Sequence, residues 1–256
     1  MNPGRFDIAG QAAIVTGASD GLGAIIARGL AGAGCAVVLA ARRSERLEAL
    51  ADELTSVGGR ALAVPCDVRD PTHAERLIAA ALDAFGRLDG VVLSAGIATV
   101  APAEHEDMDV FTDVLTVDVT AQVRLAAACA RVMIPAGGGW MITLSSILGR
   151  RAGTGGGVAA YTAAKGAIEQ LTRELARQWA PAGIRVNAIS PGYFPTSMNA
   201  PMVAAPGRLE AMIRRIPLGR EGEPEDLVGV VVFLASPAAR YVTGQSLGVD
   251  GGMSVW

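Results

Sequence analysis

Seven short apolar runs recur along the chain, at 12–16, 36–40, 61–64, 91–94, 140–144, 185–189 and 246–249. They are apolar almost throughout rather than alternating, the pattern of strands covered on both faces. Between them lie longer stretches rich in alanine and leucine, at 22–33, 44–56, 71–85, 108–133, 158–179 and 224–235, which read as helices. Strands alternating with helices imply a parallel, doubly wound seven-stranded sheet with helices on both faces. A chain of 256 residues suits one such α/β unit, so the expectation is a single domain over 1–256. Aromatics make up only 4% of the chain, so the core must be built from Ala, Val, Leu and Ile.

The first run leads directly into Thr16-Gly17-Ala18-Ser19-Asp20-Gly21-Leu22-Gly23. A glycine-rich turn between a strand and a helix lets the backbone bend sharply and approach a pyrophosphate, which the helix N-terminus then receives. The segment 17–23 is therefore the expected phosphate cradle. Folds that prefer NAD usually carry an acid at the end of the second strand for the ribose 2′-hydroxyl. Here that place holds Arg42 and Arg43, whose forked guanidinium groups suit a 2′-phosphate. NADP(H) is the expected cofactor, although Asp20 brings an opposing charge into the same loop.

Of the 22 basic residues, 21 are arginine; the single lysine is Lys165. It follows Tyr161 by four positions, so both sit on one face of the helix expected there, beside an apolar stripe of Ile168, Leu171, Leu175 and Trp179. A phenol has an ordinary pKa of about 10; working near neutrality asks for about 4 kcal/mol of help to its anion. A neighbouring ammonium supplies help of that sign.

Taken together, TGASDGLG at 16–23, Asp67-Val68, Ser94-Ala95-Gly96-Ile97, Ser145-Ser146, YTAAK at 161–165, IRVNAISPGYFPT at 184–196 and VTGQSLGVDGG at 242–252 resemble the short-chain dehydrogenase/reductase family over essentially the whole chain. The resemblance implies a Rossmann fold and an oxidoreductase acting on a small carbonyl or secondary alcohol. It implies that Ser146 holds the substrate oxygen, Tyr161 exchanges the proton, and Lys165 tunes the tyrosine and binds the ribose. It further implies Asp67 and Val68 at the adenine, Ser94, Ala95 and Gly96 along the cofactor, and Pro191, Gly192, Phe194 and Thr196 at the nicotinamide. Residues 194–217 would form a substrate lid, with Met198, Met202 and Met212 giving it an adaptable apolar lining. A homotetramer is also implied, for which the stripe beside Tyr161 is a contact surface.

Two positions depart from the family pattern. Ser94 replaces the usual asparagine after the fourth strand, and Asp118 replaces the asparagine that helps hold a relay water. A carboxylate buried there would carry a desolvation cost or a raised pKa. Asp118 is also what supports a competing reading, a module that holds NADP(H) without turnover. The stretches 191–199 and 216–227 resemble gluconate 5-dehydrogenase-like members, near 3-oxoacyl carrier-protein reductases, which points to a polyol, sugar acid or 3-oxoacyl substrate.

Other functions find little footing. A net charge of −3 with only isolated arginine pairs does not suit nucleic acid. No apolar run is long enough to span a bilayer, and the first ten residues lack the apolar core of a signal peptide; a cytoplasmic protein is expected. Cys35, Cys66 and Cys129 fit no metal-ligand spacing and read as small buried hydrophobes, and His73 and His105 stand apart from any nucleophile motif. No metal is expected.

Overall fold

The computed structural model describes residues 3–153 and 156–255; Thr154 and Gly155 of the glycine-rich loop at 153–157, and the side chain of Met202, lie outside the described residues. Its centre is a seven-stranded parallel sheet in the order β3-β2-β1-β4-β5-β6-β7. The strands are β1 (Ala12–Thr16), β2 (Ala36–Ala41), β3 (Ala61–Pro65), β4 (Gly90–Leu93), β5 (Gly139–Leu144), β6 (Ile184–Pro191) and β7 (Ser246–Val249). Each sequence-based run falls within two residues of its strand ends. β1 and β4 are buried along their whole length, whereas β3 and β7, at the two edges, are half-exposed.

Helices cover both faces. On one side α1 (Gly21–Gly32), α2 (Ser44–Ser56) and α9 (Pro224–Ala235) pack Ile26, Leu30, Leu47 and Val231 against Val15, Val37 and Ile142. On the other, α3 (His73–Phe85), α5 (Ala121–Met133) and α6 (Ala159–Trp179) pack Leu77, Leu125, Cys129 and Ala176 against Ile14, Val38 and Val91. Small residues permit this closeness: a side chain at Gly90 would strike the Trp140 ring on the neighbouring strand. All three cysteines are free and buried, and burial pushes the Cys35 and Cys129 thiols up to about 12, so they pack as apolar groups. No described helix is long and apolar enough to cross a membrane.

Two features correct the reading of the sequence. The helix expected from 71 starts at His73, because the Asp70 carboxylate accepts from the Thr72 amide and hydroxyl and holds a turn there. The helix expected over 108–133 is interrupted: α4 (Met108–Leu115) runs into a π-helical turn, Thr116–Thr120, before α5. One extra residue per turn re-aims the side chains locally, and such insertions concentrate at functional sites. The stripe on α6 is inward only in part, since Leu171 is half-buried and joins none of the core clusters. Ile168 is buried within the chain, and Leu175 and Trp179 pack against the same core as α3 and α5. The region 194–217 carries two short helices, α7 (Ala200–Val203) and α8 (Arg208–Ile213).

Because β1 lies beside both β2 and β4, the chain leaves the sheet in opposite directions on either side of β1, and a crevice opens above the carboxyl ends of the strands. The turn at 17–23 lines that crevice. Gly17 has φ +70°, and a side chain there would press on the Ala95 backbone at 3.0 Å. A Cβ at Gly23 would run into the Gly17 carbonyl. Gly23→Ala is therefore expected to cost about 1–3 kcal/mol through forced backbone displacement, read from urea unfolding.

Candidate active site

Thr16 ends β1, and its hydroxyl accepts from the amides of Ser94 and Ala95, each at 3.1 Å, tying the glycine turn to the loop after β4. Asp20 caps α1, its carboxylate accepting from the Gly21 amide at 2.7 Å. The same carboxylate is met by Arg46 at 2.8 Å, Arg43 at 3.3 Å and the Ser197 hydroxyl at 2.8 Å. Burial pushes this carboxyl up, but Ser197, Gly21 and Arg43 together hold it below the usual aspartate value. The charge that opposes a phosphate in this loop is thus already balanced. Arg43 also donates to Ser19, whereas Arg42, facing the same crevice, makes no hydrogen bond or ion pair among the described residues.

In the loop after β3, Asp67 is drawn below its ordinary value chiefly by Arg69, which chelates it and also reaches Asp113 on α4. Val68 lies beside it at the crevice wall. Arg46, Arg69 and Asp113 were not singled out from the sequence; their charges are unremarkable until the fold sets them around Asp20 and Asp67.

The far end of the crevice is built on β5 and α6. Ser146 follows β5, is buried, and accepts from the Leu148 amide at 3.2 Å. Tyr161 and Lys165 project from the first two turns of α6, with the ammonium 5.3 Å from the centroid of the tyrosine ring. Lys165 is only 4% exposed. Its Nζ donates to the Leu144 carbonyl at 2.9 Å and forms an ion pair with Asp118 at 3.0 Å. Burial works against the ammonium, but the Asp118 carboxylate and, after it, Tyr161 outweigh that and hold Lys165 above the ordinary lysine value.

Asp118 itself, at 0% exposure, comes from the π-helical turn. Its second oxygen accepts from the Ile97 amide at 2.7 Å, and one turn further on Gln122 donates to the Ala95 carbonyl at 3.0 Å. The loop 94–97 is thereby pinned from beneath. Of the residues expected at the site, Asp118 alone does not line the crevice; it stands behind Lys165. The rest converge there: Gly17, Ser19, Asp20, Gly21, Leu22 and Gly23 at one end, then Arg42, Arg43, Asp67 and Val68. Ser94, Ala95 and Gly96 form the wall between, and Ser146, Tyr161, Lys165, Pro191, Gly192, Phe194 and Thr196 close the other end. The enclosed volume is about 320 Å³.

A second buried acid was missed in the sequence. Glu169, one turn beyond Lys165, is 4% exposed and accepts from the hydroxyls of Ser190 at 2.6 Å and Ser246 at 2.7 Å, with Arg150 at 3.1 Å. Ser145 in turn donates to the Lys165 carbonyl at 3.2 Å. The four-residue step from Tyr161 through Lys165 to Glu169 was the available signal, since all three share one helix face. His105 is exposed, and no group of His, Cys, Asp or Glu among the described residues is arranged to hold a metal ion.

The family model described as Enoyl-(Acyl carrier protein) reductase matches residues 17–254, which takes in the whole crevice. The chain belongs to the short-chain dehydrogenase/reductase family. It is 37% identical over 254 residues to gluconate 5-dehydrogenase of Gluconobacter oxydans (strain 621H), covering 99% of this chain and 98% of that one. It is 40% identical over 253 residues to galactitol 2-dehydrogenase (L-tagatose-forming) of Cereibacter sphaeroides, covering 98% of each. Among solved structures, a gluconate 5-dehydrogenase from Burkholderia cenocepacia J2315 in complex with NADP and tartrate superposes with a TM-score of 0.93 at 34% identity, covering 99% of this chain and 98% of that one. The protein is therefore an NAD(P)-dependent oxidoreductase of this family with a Rossmann fold.

The Glu169 network makes a pH prediction. Burial pushes its carboxyl up, but the bonds from Ser190 and Ser246 and the charge of Arg150 carry it below the ordinary value of 4.5. A depressed carboxylate stabilises the fold above about pH 4.5 and loses that contribution as pH falls through its lower folded value. Glu169→Gln is expected to lower stability by about 1.5–3 kcal/mol near neutrality and to flatten the acid limb of a stability–pH curve measured by denaturant unfolding.

Proposed function

We propose that this protein transfers a hydride between NADP(H) and a small carbonyl or secondary-alcohol substrate of the polyol or sugar-acid class, with Tyr161 as general acid and base. The observation that carries this reading is that Ser146, Tyr161 and Lys165 line the same crevice as the glycine turn and Arg42. The residues fit a dinucleotide phosphate. The turn presents backbone without side chains, the first turn of α1 opens beside it, and a Cβ at Gly17 or Gly23 would fill the cradle. Arg42 offers an uncommitted fork for a 2′-phosphate, while Asp20, the charge that would oppose it, is balanced by Arg43 and Arg46.

The bound nicotinamide supplies the hydride. The chain does the rest. Ser146 donates to the substrate oxygen and fixes its place. Tyr161 gives its phenolic proton to that oxygen as the carbonyl carbon is reduced, and takes it back when an alcohol is oxidised. Lys165 favours the phenolate and keeps a donor for the ribose. Asp67 and Val68 meet the adenine; Ser94, Ala95 and Gly96 line the cofactor's path; Pro191, Gly192, Phe194 and Thr196 bound the nicotinamide. Residues 194–217 close over the substrate as a lid. The substrate class follows the relatives, gluconate and galactitol dehydrogenases, and a 3-oxoacyl compound is the alternative substrate. The reading also carries a cytoplasmic homotetramer.

Tyr161→Phe is expected to reduce kcat at least about a hundredfold while NADPH still binds, checked by steady-state kinetics and fluorescence titration. If NADPH binds but neither polyols, sugar acids nor ketones turn over with the wild-type chain, the non-catalytic reading stands instead. Arg42→Ala is expected to raise KM for NADPH about tenfold or more and leave KM for NADH nearly unchanged.

A further inference from the structure

Asp118 stands behind the cleft rather than in it, and its surroundings give it a specific task. One oxygen accepts from the Ile97 amide at 2.7 Å; the other lies 3.0 Å from Lys165 Nζ. The ammonium has three N–H donors. One goes to the Leu144 carbonyl at 2.9 Å; Asp118 Oδ2, 3.0 Å away, answers the charge as an ion pair without hydrogen-bond geometry, and the Tyr161 ring lies on the crevice side. With both members of the ion pair at most 5% exposed, solvent screens neither charge well, so the phenol feels the pair rather than a bare cation.

The other charged groups around this point are already engaged or lie away from it. On α6, Glu169 is met by Arg150, from the turn after β5, and by Arg173 at 3.8 Å. Farther along α6, Glu174 and Arg177 pair with each other at the exposed end. On α4, Asp113 pairs with Arg69 and Asp109 is exposed. On β6, Arg185 donates to the Ser236 carbonyl, toward α9. β5 and the short turns 147–149 and 180–182 bring no charge of their own. Lys165, with Asp118 behind it, is the charge that stands against the Tyr161 ring.

We propose that Asp118 is a positioning residue that acts through Lys165: it keeps the buried amine an ammonium and offsets part of that charge at Tyr161, so that the phenol serves as a proton donor and the site favours carbonyl reduction over alcohol oxidation. This rests on the hydride-transfer reading given above. In the reductive direction the carbonyl carbon accepts the hydride pair, the C=O π pair moves to oxygen, that oxygen takes the Tyr161 proton, and solvent re-protonates the phenolate. A bare ammonium would favour the phenolate before substrate arrives; a compensated one leaves the proton in place to be given.

The test uses the fact that Lys165 is the only lysine in the chain. Growth on ε-13C-labelled lysine gives the full-length protein one labelled side chain, whose resonance reports protonation with neither nucleotide nor substrate present. In the wild-type protein the signal is expected to stay that of an ammonium beyond the ordinary lysine midpoint of about 10.4. In Asp118→Asn the midpoint should fall by at least about one pH unit. In the same variant the rising limb of kcat against pH for alcohol oxidation should move about one unit to the acid side, with KM for substrate changed little. A wild-type midpoint below the ordinary lysine value overturns the proposal without any variant, so a failure of Asp118→Asn to fold does not shield it. Equal midpoints in the two proteins, or an oxidation limb that stays put or moves to the alkaline side, also overturn it. Since the lysine signal requires no turnover, its outcome is separate from that of Tyr161→Phe, which tests hydride transfer alone.

Discussion

The structure turns on one buried cation. Placing an ammonium in a protein interior costs several kcal/mol unless its donors and its charge are both answered. Lys165 is answered by the Leu144 carbonyl at the end of β5 and by Asp118 from the π-helical turn. These partners come from different elements, so the cation joins β5, α6 and the segment between α4 and α5. Asp118 passes the constraint on to Ile97, and Gln122 does the same for Ala95, which fixes the loop after β4. Residues that look independent along the chain share one electrostatic requirement.

The second constraint is geometric. A parallel sheet that reverses winding at β1 and β4 leaves its crevice at the carboxyl ends of those strands. Thr16 holds the two ends together through one hydroxyl, and Gly17 and Gly23 keep side chains out of the space where backbone meets backbone. The absence of bulk and the placement of charge are thus solved by adjacent residues on the same turn.

Around the crevice, acids and arginines are arranged so that few charges stand uncompensated. Asp20 is held by Arg43 and Arg46, Asp67 by Arg69, and Glu169 by Arg150. Arg42 makes no hydrogen bond or ion pair among the described residues and acts on Asp67 only through space. Glu169 extends the order at the other end. By gathering Ser190 and Ser246 against α6, it fastens β6 and β7 to the helix that carries Tyr161 and Lys165.

Much of this was legible in the order of residues. Apolar runs of strand length separated by helical periods determine a parallel sheet, because only strands covered on both faces are apolar on both sides. Thr16–Gly23 and the four-residue step from Tyr161 to Lys165 are local patterns, and local spacing carries over directly into a turn and a helix face. What the order of residues left open was everything decided by partners distant along the chain. The π-helical turn, the pairing of Asp118 with Lys165, the balancing of Asp20 by Arg46, the Glu169 network and the burial of Ile168 all depend on which elements meet. A charge has no assigned partner until the sheet closes, because the energy of a buried ion depends on what surrounds it in space and not on its neighbours in sequence.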